Sequence, residues 1–516
     1  MHLRRCFRCI LKFDGHKRNK MTEENRSIQS SDPATGKRWS AETLVPVVLK
    51  TLVLVAACAG LWLYLDYRSP RAIGYATEQR DGSENRVVKT NATRIGENFT
   101  LFKTIQSASP FAAAWPCFRG KSRDNLVRDA EPLAKSWDDS GPKVLWRADL
   151  GEGYAGAIIA ENRVFVLDYW EEKNADALRC FDLLSGAELW RRSYKNPIRR
   201  NHGKSRTVPA YADNVVVSLG PAGHVMAVDA WSGDLLWSCD LVATYKCEVP
   251  QWYAGQCPLI DEKKVILGIG GEKVLVAAFD LKTGNAVWEL PNDGAFKMSH
   301  ASILPARLLN RDCYVYAALG GIAACDRDGK LLWRSTAWKP AVWAPTPVAL
   351  DDHRLFLTAG YGAGSAILAL RETEGQITAT LDRQWKPTQG PASEQQTPLL
   401  IDGTLFTIQP KDAGALRAEL VAANTDTLPA VTASSGKENR FGLGPYLFAD
   451  NAFGIVDDDG VLHVFGFEGK HFTRLARHKV LPGVDAWGPI ALAGGIMILR
   501  DSKSLACLDL RKEHTP

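Results

Sequence analysis

The chain of 516 residues has no H-E-x-x-H pair, no G-x-S-x-G elbow and no Walker phosphate loop. It therefore lacks the local signatures of zinc hydrolases, serine hydrolases and P-loop nucleotidases. Its net charge of +5 is small for this length. With neither zinc-finger spacing nor a basic-aromatic module present, no nucleic-acid partner is expected. No second cysteine pair accompanies the C-x-x-C formed by Cys6 and Cys9, which argues against a zinc or redox site there. Asp457-Asp458-Asp459-Gly460 opens like a calcium loop but lacks the closing Glu, so it reads as a hairpin turn. Gly268-Ile269-Gly270-Gly271 has no following helix and is likewise a turn.

What the chain does contain is a repeat. Phe181-Asp182-Leu183-Leu184-Ser185-Gly186-Ala187-Glu188-Leu189-Trp190 returns at Val228–Trp237 and Phe279–Trp288, and in shortened form at Cys325–Trp333. The steps between the tryptophans are 47, 51 and 45 residues, a period typical of arrays and propellers. Each copy reads as two short strands around a turn, where Asp and Ser/Thr bond the backbone and Gly supplies positive φ. The Trp falls in the second strand, where its ring can fill the wedge between sheets while its N–H finds a partner.

A second mark precedes each hairpin: a small residue or Pro, an apolar strand, a polar turn and another strand. It is clear at Ala157-Ile158-Ile159, Pro209-Ala210-Tyr211 and Pro258-Leu259-Ile260. Weaker copies follow at Ser302, Pro347, Pro398, Pro445 and Pro489, which makes eight units of four strands. The fifth to seventh units lack the Trp, with Thr380 standing where one is expected. The eighth unit ends at Leu510 without its last strand, and Lys143–Asp149, containing Trp146, is an orphan second half. Pairing the two would close the ring and remove its exposed edges.

The rest of the chain divides around this array. Residues 1–43 carry ten Lys/Arg against five Asp/Glu without periodicity, and read as a disordered cytoplasmic tail, with Met21 as an alternative start. Leu44 to Leu65 is apolar apart from Lys50 and reads as one transmembrane helix, with the aromatic Trp62, Tyr64 and Tyr67 at its far end. The charge bias puts the N-terminus in the cytoplasm and everything after about residue 66 outside it; in a bacterium that is the periplasmic side of the inner membrane. Val55-Ala56-Ala57-Cys58 offers the alternative of a lipoprotein anchored at Cys58. Residues 66–110 read as a flexible tether, 111–142 as a lead-in and 143–511 as the repeat domain. Asn91-Ala92-Thr93 and Asn98-Phe99-Thr100 match the glycosylation sequon, which has no meaning in a bacterium. Cys239, Cys247 and Cys257 lie close enough to allow one disulfide, and otherwise behave as small buried residues.

The hairpin motif and its eightfold count resemble the PQQ-like repeat propellers, in architecture the BamB-type outer-membrane assembly factors. The lead-in Trp115-Pro116-Cys117-Phe118-Arg119-Gly120 resembles that of membrane-anchored bacterial members. The resemblance implies an all-β, eight-bladed propeller of four-stranded antiparallel blades. It implies a non-catalytic scaffold, tethered by the membrane helix, that binds a protein partner in the cell envelope. A PQQ-dependent or other oxidoreductase and a ligand-sensing or carbohydrate-binding propeller are the alternatives. Quinoprotein dehydrogenases of this fold hold the quinone on the axis beneath a vicinal disulfide, above a Trp and beside calcium. No Cys-Cys pair and no C-x-x-C-H haem site occurs here, so no catalytic residue, metal or cofactor is expected.

Candidate binding residues precede the first strands of the units, at positions that should converge on one mouth of the channel. They are Tyr154, His202, Arg206, Trp252, Tyr253, His300, Trp343 and Trp487. Packing between blades is the competing explanation for these rings; an aromatic and basic rim is the functional one.

Overall fold

The computed structural model describes residues 93–103, 113–128 and 130–512. The tail, the apolar segment Leu44 to Leu65, Cys58 and the tether as far as residue 92 lie outside the described residues. No helix among those described is long and apolar enough to cross a membrane.

Eight antiparallel sheets follow one another along the chain. Blade 1 runs from Ala157 to Lys195, blade 2 from Ala210 to Asp240, blade 3 from Leu259 to Pro291 and blade 4 from Leu304 to Ser335. Blade 5 runs from Val348 to Trp385, blade 6 from Leu399 to Ser434 and blade 7 from Tyr446 to Lys479. Blade 8 begins at Ala491 and its third strand, Ser504–Asp509, pairs antiparallel with Lys143–Asp149. The front of the domain thus supplies the outermost strand of the last blade. The protein is an eight-bladed β-propeller.

The hairpin motif performs two tasks. Within a blade, the Asp182 carboxylate accepts from the Ser185 N–H at 2.8 Å and the Ser185 hydroxyl at 2.6 Å, and Gly186 adopts φ +68°. Asp229 with Ser232, and Asp280 with Thr283, repeat the arrangement. Between blades, Trp146, Trp190, Trp237 and Trp288 each pack on the turn glycine of the next blade. A Cβ on Gly186 would fall 2.4 Å from the Trp146 ring, and on Gly284 2.6 Å from that of Trp237. The indole N–H groups of Trp146, Trp190 and Trp237 donate to the carbonyls of Leu183, Ala230 and Leu281 in those neighbouring turns. Every such Trp stands beside a β-bulge, at Cys180/Phe181, Ala227/Val228, Ala278/Phe279 and Ala324/Cys325. Trp146 has the same bulge at its own pairing with Cys507.

The bulges reset the register where the motif is lost. In blade 5 the residue at the Trp position is Arg383, not Thr380, which pairs with Ala369. The shift arises because the third and fourth strands have lengthened to ten residues each, Gly364–Thr373 and Gln376–Trp385. Arg383 Nη1 donates to the Leu428 carbonyl at 2.9 Å, replacing the indole donor. Between blades 6 and 7 the wedge is filled by Phe406, Phe453, Phe467 and Phe472.

Two blades carry a fifth strand, a departure from uniform four-stranded sheets. Asn98–Leu101, inside the expected tether, pairs antiparallel with the outer strand of blade 1. The edge attracts it through cations: the Arg192 guanidinium lies 4.4 Å from the Phe99 ring and donates to the Gly96 carbonyl. Leu126–Val127, in the lead-in, pairs parallel with the first strand of blade 7. The eight cysteines of the described residues are all free, so Cys239, Cys247 and Cys257 form no disulfide.

Candidate functional site

Strand direction alternates within a blade, so connections into each first strand and turns between second and third strands emerge at the same end of the propeller. The Asp-Gly turns of the repeat motif emerge at the other. Loops of the first kind surround an open cavity of about 130 Å³ lined by Tyr154, Arg206, Trp252, His300, Glu394 and Trp487 among others, with Phe118 of the lead-in reaching it.

The lead-in blocks the channel by pairing with free edges of inner strands. Trp115 bridges Ile159 of blade 1, and the Pro116 carbonyl accepts from the Tyr211 N–H of blade 2 at 2.7 Å. Arg123 donates to the Ile260 carbonyl of blade 3, Arg119 to that of Pro398, and Asn125 to that of Tyr446. Gly120 is needed here: it has φ +78°, and a Cβ would fall 2.8 Å from the Trp115 ring.

Five of the eight residues singled out in the sequence line this mouth: Tyr154, Arg206, Trp252, His300 and Trp487. Tyr154 and Trp487 have ring centroids 4.9 Å apart, and the Arg206 guanidinium lies 5.4 Å from the Tyr154 ring. Trp252 stacks on Tyr361 at 5.5 Å and on His300 at 6.2 Å. Trp252 and Tyr253 both adopt positive φ, +66° and +75°. Bulky residues rarely occupy that region without compensation, and such outliers concentrate at functional loops.

The other three lie elsewhere. His202 is exposed at φ +50° and presents its backbone carbonyl to Arg206. The Tyr253 hydroxyl donates to the Arg199 carbonyl at 2.6 Å. Trp343 is wholly buried, perpendicular to Trp338 at 5.0 Å, and so belongs to the core beneath the rim. Its neighbours Val342 and Ala344 reach the cavity instead, because adjacent residues of an extended chain face opposite ways.

Sequence reasoning missed Tyr361, Glu394 and Asp458. Glu394 stands just before the first strand of blade 6, the position that the aromatic candidates share, but it is not a ring. Asp458 carries, in the sequence, only the signature of a turn. Its neighbour Asp457 closes the turn by accepting from the Val461 N–H, while Asp458 accepts from Trp487 Nε1 and the Leu443 N–H, both at 2.8 Å.

Burial controls the charges here. Desolvation, with help from Arg206, lowers the His300 pKa to about 4, so the ring is neutral at neutral pH. Desolvation lowers the Arg206 pKa to about 10, leaving it protonated, and its Nε has no hydrogen-bond partner. Burial also raises the Glu394 and Asp458 carboxyls above their usual range.

Residues 174–438 match the family described as outer membrane protein assembly factor BamB. The chain belongs to that family. This BamB-family propeller is also 28% identical, over 216 residues, to quinohemoprotein alcohol dehydrogenase ADH IIB of Pseudomonas putida. The match covers 38% of this chain and 29% of that protein, so the chain spans less than a third of the relative's length. Among solved structures, the quinohemoprotein alcohol dehydrogenase of Comamonas testosteroni superposes with a TM-score of 0.51 at 12% identity, covering 80% of this chain and 82% of that one. ADHIIG of Pseudomonas putida HK5 gives 0.52 at 12% identity, covering 80% and 84%. At such identities these likenesses concern the fold alone.

Proposed function

We propose that this propeller is a non-catalytic scaffold, anchored in the inner membrane through Leu44 to Leu65, whose mouth binds a segment of a protein partner on the periplasmic side. The observation that supports it best is the mouth itself, which gathers aromatic rings around buried polar atoms that make no hydrogen bond. Arg206 Nε and both Glu394 carboxylate oxygens are buried and make no hydrogen bond within the protein. Rings flanking desolvated polar groups are the composition of an interface centre. A photo-crosslinking residue placed at Trp252 should capture one partner in intact envelopes, and Trp487→Ala should abolish capture while the melting temperature holds. Capture that survives Trp487→Ala would exclude the mouth as the contact.

The dehydrogenase match favours a second reading, a PQQ-dependent oxidoreductase. The lining residues do not fit that cofactor. PQQ carries three carboxylates, whereas Arg206 is the cation among the described residues lining this cavity and the nearby Lys411 ammonium is already paired with Glu394. Calcium beside the quinone needs convergent oxygen ligands, and no group of three or more His, Cys, Asp or Glu side chains is suitably placed among the described residues. Trp252 and Trp487 supply stacking surface, but no vicinal disulfide can cover it. Incubation with PQQ and calcium should leave no stable quinone absorbance after gel filtration; stoichiometric uptake with alcohol oxidation would overturn the scaffold reading.

A further inference from the structure

One corner of the mouth holds an unfinished carboxylate. Glu394 is 3% exposed, and neither of its oxygens accepts a hydrogen bond. Buried carboxylates are ordinarily paired or hydrogen-bonded, because an uncompensated buried charge is strongly unfavourable. Lys411 holds it only through a long ion pair: its Nζ lies 3.7 Å from Oε1, outside hydrogen-bond distance, and its side chain stays 52% exposed. The same ammonium stands 5.6 Å from the centroid of Tyr361, the ring stacked on Trp252. The acid is seated by a glycine, since a Cβ on Gly360 would fall 2.4 Å from Glu394 Cγ. A desolvated carboxylate and an aromatic face are thus held together, with a loosely attached cation between them.

We propose that this corner receives the ammonium or guanidinium group of a Lys or Arg side chain from the partner polypeptide, with Lys411 as its displaceable internal occupant. The assignment deepens the scaffold reading and rests on the mouth being the contact surface. A guanidinium is the better match, because it can donate to both carboxylate oxygens at once and lie flat against a ring. A cation over an aromatic face gains further attraction when desolvated. Lys411 can leave because its ion pair with Glu394 is long and its side chain is already half in solvent.

The test uses the purified full-length protein with blocked arginine (N-acetyl-arginine methylamide), its citrulline counterpart and free agmatine, read by NMR shifts of the tryptophan indole resonances. Blocked arginine should produce saturable shifts and the citrulline analogue none. Glu394→Gln should weaken binding at least about tenfold, and Gly360→Ala, which displaces the acid, should do the same. Lys411→Met should strengthen it, because the internal competitor is removed. A merely structural ion pair gives the opposite result for Lys411→Met, a lowered melting temperature and no gain in binding. Equal shifts from arginine and citrulline, or unchanged affinity in a folded Glu394→Gln protein, overturn the proposal. Binding of agmatine without blocked arginine overturns the side-chain source. Loss of cation binding while partner capture still depends on Trp487 removes this assignment alone; capture independent of Trp487 removes the mouth reading beneath it.

Discussion

The indole N–H of Trp146 donates to the carbonyl oxygen of Leu183 across 2.8 Å, joining the outermost strand of blade 8 to the hairpin turn of blade 1. The ring also stacks on Phe181 at 5.9 Å and covers Gly186. This seam is built like those between blades 1, 2 and 3, although its two sides come from opposite ends of the domain.

Trp146→Ala should therefore destabilise the propeller by about 3–5 kcal/mol, the usual cost of removing a buried Trp. Deleting residues 143–149 should cause aggregation, since it exposes the edge of Ser504–Asp509 as well. Urea denaturation and light scattering measure the two effects. A deletion variant that melts like the parent would show that the ring does not depend on this seam.

Turn glycines separate the two tasks of the motif. Gly284 and Gly375 have similar φ, +72° and +79°, but only Gly284 would press a Cβ on a Trp, at 2.6 Å, whereas nothing lies within 4 Å of Gly375. Gly375→Ala should cost about 1 kcal/mol, the backbone penalty alone. Gly284→Ala should cost at least about 1 kcal/mol more through overpacking. Equal denaturation midpoints would show that the indole contact contributes nothing.

Asp176 makes stability depend on pH in the direction opposite to that of a salt-bridged carboxylate. Burial raises its pKa to about 7, against the opposing pull of hydrogen bonds from Asn196 and Tyr194. The folded state therefore binds the proton more tightly than the unfolded chain, whose carboxyl titrates near 3.9. Its contribution is most favourable below about pH 4 and declines as the pH rises towards 7. Asp176→Asn should remove that decline, and melting curves of both proteins between pH 4 and 8 check it.

Trp487 and Trp343 should respond differently to truncation. Trp487→Ala removes a half-buried ring and the donor to Asp458, so partner capture should fall with little loss of stability. Trp343→Ala should cost about 3–5 kcal/mol as a cavity in the core. Trp343 Nε1 has no hydrogen-bond partner, so Trp343→Phe should cost under about 2 kcal/mol. Thermal melts alongside crosslinking distinguish core from rim.

The repeat, its count of eight and the missing last strand were all legible in the sequence, because they rest on local chemistry. An Asp, a Ser or Thr and a Gly at fixed spacing specify a turn wherever they occur, and an unpaired Trp strand at the front answers a missing one at the end. The mouth was legible in part: connections into the first strands must share one end, which brought Tyr154, Arg206, Trp252, His300 and Trp487 together. Only the tertiary structure decided which way each side chain faces, burying Trp343 while its neighbours Val342 and Ala344 line the cavity. Nor could periodicity show that Arg383 replaces a Trp, since register depends on the length of the hairpin and the position of its bulge. The fifth strand at Asn98–Leu101 and the channel plug at Trp115–Asn125 were equally hidden, because both form on edges that exist only once the blades have folded. Glu394 shares the position of the aromatic candidates, just before a first strand, but a glutamate in a polar loop is ordinary, and its importance comes from the burial and the unmet hydrogen bonds that the assembled ring imposes.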